Sequence, residues 1–354
     1  MKKIVQILPT LAYGDAIGNE VLAIKKALLE RGYRTEIYAE NIDGRLPRGT
    51  AKKIDKYKDS SDNIILYHLS TGTELNNQLL RVKGKLIIRY HNITPPEFFK
   101  DYSENSASLC SRGIEGVKKL AKCADYCIAV SVFNKQDLIR LGYTCPIEVI
   151  PIILDFSSFE EKPSETIIHK YTEDKYTNII FTGRVAPNKK HEDLIKSFYL
   201  YQKHINPKSR LILVGSYNTY DLYYRKLSSY IDALKLTENV IFTGHVSFNE
   251  ILAYYKIADL FLCLSEHEGF CVPLVESMYF RVPIIAYSST AVGETLGDGG
   301  VLLSDKDPRV VAEAMNLVLT NHELKEKIIR NQEERIQYFT DKRHLERMLK
   351  CLLD

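Results

Sequence analysis

The sequence predicts an α/β protein of two doubly wound parallel sheets. Short β-branched apolar runs alternate with helical-period segments, the alternation occurs twice, and a polar stretch separates the two series. A chain of 354 residues also exceeds what one hydrophobic core usually organises.

In the first series, strands are expected near residues 3–8, 34–39, 63–67, 85–90, 126–130 and 147–150, with amphipathic helices between them. The first such helix, Ile17 to Arg31, ends in Arg31-Gly32, a C-cap signal. After Ile150 the run Pro151-Ile152-Ile153-Leu154-Asp155 leads into a stretch rich in Ser, Glu, Lys and Thr that extends to Asn178 and reads as the domain boundary. The second series places strands near 178–182, 210–215, 240–243, 259–263, 283–286 and 300–303, and helices near 190–204, 220–235, 248–256, 272–280 and 308–319. The tail from Glu323 to Leu353 is helical and charged, with no strand to cross over to, so it is free to pack back on the first domain. The expected division is a first domain over 1–155, a second over 156–335, and a returning helix over 336–354. Open parallel sheets bind ligands outside the carboxyl ends of their strands, and two facing sheets would place a cleft there.

Forty-eight Lys plus Arg against 45 Asp plus Glu leave a formal charge of +3, too small for a whole-protein nucleic-acid footprint. The start, Met1-Lys2-Lys3 followed by the apolar run to Leu8, is too short for a signal sequence or a membrane span, and a cytoplasmic protein is expected. Seven scattered cysteines without a C-x-x-C pair read as reduced, packed thiols, with no metal implied. Basic positions read as helical, Lys52, Lys53, Lys56 and Lys58 or Lys118, Lys119 and Lys122, could meet anionic lipid head groups at the inner membrane face, against the simpler reading of a solvated surface.

The clearest chemical signal is Glu268-Gly269-Phe270-Cys271-Val272-Pro273-Leu274-Val275-Glu276, two carboxylates flanking a helix start after an apolar strand. Pro273 suits the first helical turn, whose free N–H groups make an anion cradle. Carboxylates beside that cradle are suited to accept from hydroxyls, Glu276 from a ribose and Glu268 from a hexose. The plain alternative makes Glu268 a first-turn acid and Glu276 a solvated helix residue, yet the surrounding helix is almost wholly apolar. A second signal, Thr182-Gly183-Arg184 with Lys189, follows a strand and can set a guanidinium and an ammonium on one diphosphate. In the first domain, Ala12-Tyr13-Gly14-Asp15 opens a helix with backbone N–H groups, and it is not G-x-G-x-x-G, which argues against a nicotinamide enzyme. His91, at a strand end in Arg89-Tyr90-His91-Asn92, is either structural or a site residue, and His68 is a weaker second candidate. Asp305-Lys306-Asp307 could pass for a D-x-D metal motif, but Asp307-Pro308 reads as an N-cap with Pro at the first helical position.

Together, Gly183-Arg184 with Lys189, the E-x7-E segment inside Ser265-Glu266-His267-Glu268-Gly269-Phe270, and the later Gly293-Glu294 and Gly299-Gly300 turns resemble the donor half of family-4 retaining glycosyltransferases of the GT-B fold, the "glycosyl transferases group 1". The resemblance implies that Arg184 and Lys189 neutralise the donor diphosphate, that Glu276 holds the ribose, and that Glu268 with the backbone after it, Gly269, Phe270 and Cys271, holds the sugar. Leu274 falls in the same donor segment. It implies further that Gly14 lies near the donor phosphates and that His91 borders the reacting sugar. Cys271 stands where the family usually has Gly, narrowing the sugar pocket. The implied reaction is metal-independent transfer of a hexose from a UDP- or GDP-sugar, a co-substrate rather than a cofactor, to a hydroxyl of a glycan or lipid-linked acceptor in cell-surface polysaccharide synthesis. The alternatives are a nucleotide-sugar epimerase of the same fold and a non-catalytic subunit.

Overall fold

The computed structural model describes residues 3–353, so Met1 and Lys2 of the predicted leading run lie outside it. The chain forms two units, one of Met1–Lys100, Glu104–Phe156 and Phe339–Asp354, the other of Asp101–Ser103 and Ser157–Tyr338.

The first unit carries a seven-stranded sheet of β1 (Lys3–Leu11), β2 (Thr35–Ile42), β3 (Lys52–Lys53), β4 (Asn63–Leu69), β5 (Lys85–Tyr90), β6 (Tyr126–Ala129) and β7 (Ile147–Val149). Its order is β3-β2-β1-β4-β5-β6-β7 and every pairing is parallel. The central strands β4 and β5 are buried on both faces, which is why they read as continuous apolar runs rather than alternations. The second unit carries β8 (Thr177–Thr182), β9 (Ser209–Val214), β10 (Val240–Gly244), β11 (Leu260–Cys263), β12 (Ile284–Tyr287) and β13 (Val301–Leu303) in the order β10-β9-β8-β11-β12-β13, again all parallel. This is the doubly wound, Rossmann-like α/β architecture that the alternation predicts, twice over.

In each sheet the chain winds one way from a central strand and then reverses. The reversal falls between β1 and β4 in the first sheet and between β8 and β11 in the second. Loops leaving the carboxyl ends of neighbouring strands diverge at such a switch point, and that divergence opens the crevice where ligands bind. The loops after β8 and β11 are the ones that carry Arg184, Lys189 and Glu268.

The terminal helix Arg343–Leu353 belongs to the first unit. Met348, Leu349 and Leu352 bury with Ile4, Ile24, Leu28, Ile64 and Ile128 in one core cluster. At its rim Arg31 pairs with Glu346, and Arg347 with Glu148. The tail thus returns to the first domain as its pattern suggests.

The polar stretch before Asn178 contains the helix Glu165–Thr172, whose Tyr171 is buried beside Tyr254, and the unit boundary falls at Phe156/Ser157, one residue from the expected division at 155/156. One sequence reading changes. Lys52, Lys53, Lys56 and Lys58 are not on an α-helix. Lys52 and Lys53 form the edge strand β3, where Lys52 pairs with Glu36, and Lys56 sits in a single 3-10 turn. Charged lysines on a short edge strand discourage pairing with other chains, a sufficient reason for their presence there. No helix of the described residues is long and apolar enough to cross a membrane.

Candidate functional site

The donor-side candidates gather at the β8/β11 switch point of the second unit. β8 ends in Thr182, and Gly183 follows at φ 152° with its N–H bonded to Val214 O at 2.8 Å. The loops after β8 and β9 pass so closely that a Cβ on Gly215 would lie 2.2 Å from Gly183 O, so that position excludes every side chain. Arg184 next in line is exposed, and its guanidinium has no ion-pair partner among the described residues.

Lys189 behaves differently. Its ammonium lies 2.5 and 2.6 Å from the two oxygens of Glu268, 79 residues away. Burial pulls the Lys189 ammonium down, but the Glu268 carboxylate more than offsets that and leaves it raised. The structure therefore joins two residues to which the sequence reading gave separate tasks, one cationic and one anionic. Asn188, a buried residue that reading did not single out, ties their loops together: its Nδ2 donates to His267 O at 3.0 Å and its carbonyl accepts from Glu266 N at 2.9 Å. Thr290 fixes Glu268 from the other side, its hydroxyl accepting from Glu268 N and donating to Glu268 O, both at 2.8 Å.

Glu276 sits on the helix Val272–Tyr279, with Pro273 in its first turn. Its Oε2 accepts from Tyr255 Oη at 2.6 Å, and Tyr255 Oη lies 2.6 Å from Thr182 Oγ1. One buried tyrosine thus spans from the end of β8 to the helix carrying the second carboxylate. Burial raises the Glu276 carboxyl above its usual value, and the Tyr255 hydroxyl offsets part of the rise. Gly269 and Phe270 complete the turn, with Phe270 O accepting from Thr295 Oγ1 at 2.5 Å, and Leu274 is fully buried behind it.

Cys271, the residue before the helix, adopts φ +74°, and Lys190 before the helix His191–His204 adopts φ +53°. Of seven non-glycine residues with positive φ among the described residues, Cys271 is itself a candidate site residue and Asn92, Lys190 and Thr290 adjoin or bond to one. Such left-handed conformations cost about 1–2 kcal/mol each without glycine and persist where the surroundings enforce them. Cys271 is buried, and the neighbouring Cys263 thiol, reinforced by burial and the Glu268 carboxylate, holds its pKa well above the usual thiol range, so it stands as a neutral thiol. Cys263, Glu268 and Cys271 offer three metal-ligating atoms within 4.8 Å of one another, but Lys189 already neutralises the carboxylate of that set.

Asp305-Lys306-Asp307 forms a different arrangement. Asp307 caps the helix Pro308–Thr320, accepting from Arg309 N, while Lys306 lies 2.8 Å from Asp193 and 2.5 Å from Glu266. Glu266 also meets Lys190 at 3.2 Å, so the acidic and basic residues flanking the donor loops neutralise one another.

In the first unit, Gly14 turns at φ 76° into the helix Ala16–Glu30, where Asp15 caps Gly18 N at 2.5 Å. His91 follows β5 and lies against His68, their facing ring nitrogens 3.0 Å apart. Beside them Arg89 and Glu20, both wholly buried, form a two-pronged ion pair at 2.6 and 3.2 Å, and the Arg89 guanidinium also donates to Ile150 O at 2.7 Å and Pro151 O at 2.9 Å. A guanidinium so placed ties the chain leaving β7 to the centre of the sheet, and a buried pair of this kind holds only because its remaining donors are bonded. Glu20, His68 and His91 also lie within 4.8 Å of one another, with Arg89 bound to both Glu20 oxygens.

Two parallel Rossmann-like sheets, with cations and carboxylates at the switch point of the second, define the class as GT-B. Residues 163–335, just under half of the chain, match the family described as "Glycosyl transferases group 1". Among curated relatives it is 26% identical over 239 residues to the capsular polysaccharide biosynthesis glycosyltransferase CapM of Staphylococcus aureus, covering 66% of this chain and 59% of that protein. It is 24% identical over 276 residues to the O-antigen chain mannosyltransferase B of Escherichia coli, covering 74% of this chain and 65% of that one. The chain thus spans less than two thirds of the length of these relatives. Among solved structures, sucrose-phosphate synthase from Thermosynechococcus elongatus superposes with a TM-score of 0.77 at 17% identity, over 99% of this chain and 98% of that one. Anabaena HepE in complex with UDP-glucose superposes with a TM-score of 0.73 at 19% identity, over 99% and 100%. At these identities the structural likeness establishes the fold.

Proposed function

We propose that the chain is a retaining glycosyltransferase that moves a hexose from a UDP- or GDP-sugar to a hydroxyl of a glycan or lipid-linked acceptor in cell-surface polysaccharide synthesis, without a metal or other cofactor. The observation that carries the reading is the set at the β8/β11 switch point: an exposed Arg184 with no ion-pair partner among the described residues, a Lys189–Glu268 pair, and a sheltered Glu276 carboxyl. Relatives named for capsule and O-antigen synthesis support the pathway class.

In this reading Arg184 meets the diphosphate first. The diphosphate then competes with Glu268 for Lys189, and the carboxylate freed from that pair accepts from hydroxyls of the sugar. Glu276 accepts from the ribose hydroxyls. Gly14 takes its place near the phosphates and His91 beside the reacting sugar. As the C1–O bond to the diphosphate breaks, the acceptor oxygen bonds to C1 on the same face. The acceptor proton passes to the leaving phosphate oxygen, whose growing charge Arg184, Lys189 and the helix N-terminus at Val272 stabilise. Lys189 and Arg184 supply fixed positive charge, so the step needs no divalent ion.

A thermal-shift panel of UDP- and GDP-sugars tests the reading, since a ligand bound only by the native protein raises Tm by mass action. At least one sugar nucleotide should raise Tm, and Arg184→Ala should abolish the shift. No nucleotide binding by calorimetry would point to a non-catalytic subunit. Conversion of the sugar without acceptor, seen by NMR, would point to an epimerase.

A further inference from the structure

Gln6 on β1, His68 on β4 and His91 after β5 form a hydrogen-bond chain whose proton positions follow from its first member. Gln6 Nε2 donates to Val21 O at 2.9 Å. A carbonyl can only accept, so this bond fixes the amide: Nε2 faces Val21 and Oε1 faces His68 Nε2, 3.0 Å away. The reverse orientation would set two carbonyl oxygens against each other. Gln6 Oε1 also only accepts, so His68 Nε2 carries a hydrogen.

A second hydrogen on His68 Nδ1 would make a buried imidazolium close to the Arg89 guanidinium. Burial, with His91 and Arg89 nearby, holds the His68 ring well below its usual pKa. His68 is therefore neutral, and its bare Nδ1 accepts from His91 Nε2 at 3.0 Å. His91 Nε2–H also has Glu20 Oε2 at 3.6 Å on the same side. Burial and Arg89 keep His91 neutral as well, which leaves its Nδ1 without a hydrogen. That nitrogen is buried and has no hydrogen-bond partner among the described residues.

We propose that Gln6 and His68 are positioning residues that hold His91 as the neutral Nε2–H tautomer, so that His91 Nδ1 accepts a hydrogen bond from a substrate hydroxyl. That the hydroxyl belongs to a sugar rests on the glycosyltransferase reading; the tautomer does not. The polarity is selective. A bare nitrogen rewards a hydroxyl donor and repels a phosphate or carboxylate oxygen. Glu20 Oε2, 3.6 Å from His91 Nε2, lies beyond hydrogen-bond distance, so its pull on the proton is secondary to the direct bond at His68 Nδ1.

The test uses the full chain labelled with ¹⁵N-histidine. Two-bond ¹H–¹⁵N correlation spectra report which ring nitrogens carry hydrogen, with His68→Ala and His91→Ala proteins assigning the signals. The expected wild-type result is both rings neutral, each with hydrogen on Nε2. Gln6→Met keeps the bulk but removes the acceptor, and it should turn His91 into a tautomer mixture and lower kcat about tenfold, the scale of one hydrogen bond, with donor KM little changed. Gln6→Glu, whose buried protonated acid can donate to Val21 O and accept from His68, should restore the wild-type spectrum and most of kcat. An Nδ1–H or imidazolium form of His91 in the wild type overturns the proposal, as does a Gln6→Met protein whose His91 spectrum is unchanged. The spectra require no substrate, so they decide the tautomer whether or not sugar transfer is the activity.

Discussion

Arg184→Ala separates stability from function more cleanly than any other change in this chain. The side chain is exposed and has no ion-pair partner among the described residues, so its removal should alter unfolding free energy by less than about 0.5 kcal/mol. If the guanidinium stabilises charge on the leaving diphosphate, its loss should lower kcat by about 10²–10³-fold, or roughly 2.7–4 kcal/mol of transition-state stabilisation. In the proposed mechanism Lys189, paired with Glu268 in the free protein, already engages the same diphosphate, so it has no further charge with which to replace the lost guanidinium. The assay pairs a urea titration of both proteins with transfer from the sugar nucleotide that gives the largest thermal shift. An unchanged urea midpoint with a collapsed kcat is the expected outcome. Wild-type turnover in a folded Arg184→Ala protein would refute the assignment of the diphosphate to this loop.

Tyr255→Phe should remove both hydrogen bonds that link Thr182 to Glu276 and cost about 1.5–3 kcal/mol in nucleotide binding, read by calorimetry. Glu276→Gln should flatten the pH dependence of that binding. Because burial lifts the Glu276 carboxyl above its usual 4.5, the native protein keeps a proton above that pH that the unfolded chain has lost. Stability from this group therefore falls as pH rises through the window, and if Glu276 accepts from a ribose as proposed, nucleotide binding strengthens over the same window. Glu20→Gln should leave the Arg89 guanidinium buried without its counter-ion and destabilise the first unit by about 3–5 kcal/mol, seen as a lowered urea midpoint. Cys271→Gly relieves the left-handed backbone at φ +74° but loosens the unfolded chain, so stability should change by no more than about 1 kcal/mol. The same change removes a Cβ and sulfur from the donor loop, and a broader range of accepted sugars in the thermal-shift panel is expected.

Most of the elements were legible because buried parallel strands announce themselves as short apolar runs, and caps such as Arg31-Gly32 and Asp307-Pro308 mark helix ends locally. What escaped the sequence are relations across distance. Lys189 and Glu268 stand 79 residues apart, Arg89 and Glu20 stand 69 apart, and Gln6 reaches His68 across 62. No periodicity records such pairings, since they depend on which strands become neighbours. The edge strand β3 escaped for the opposite reason, because two lysines carry no apolar signal and owe their geometry to pairing with Tyr38 and Ala39 of β2. Asn188 could have been noticed, as a polar residue between Pro187 and Lys189 in a loop already under suspicion. Its burial, and so its task of joining two loops, could not.

The terminal helix also imposes an order on synthesis. Residues that complete the core around Ile4, Ile24 and Ile64 leave the ribosome after the whole of the second unit has been made. The half of the protein that emerges first is therefore the half that closes last, and until Met348, Leu349 and Leu352 arrive, an apolar groove on it stays open to water. The second unit, uninterrupted from Ser157 to Tyr338 apart from a three-residue contribution at Asp101–Ser103, has no such wait. The core of the first domain is thus completed by a helix made after the second unit, across 182 residues that belong to its neighbour.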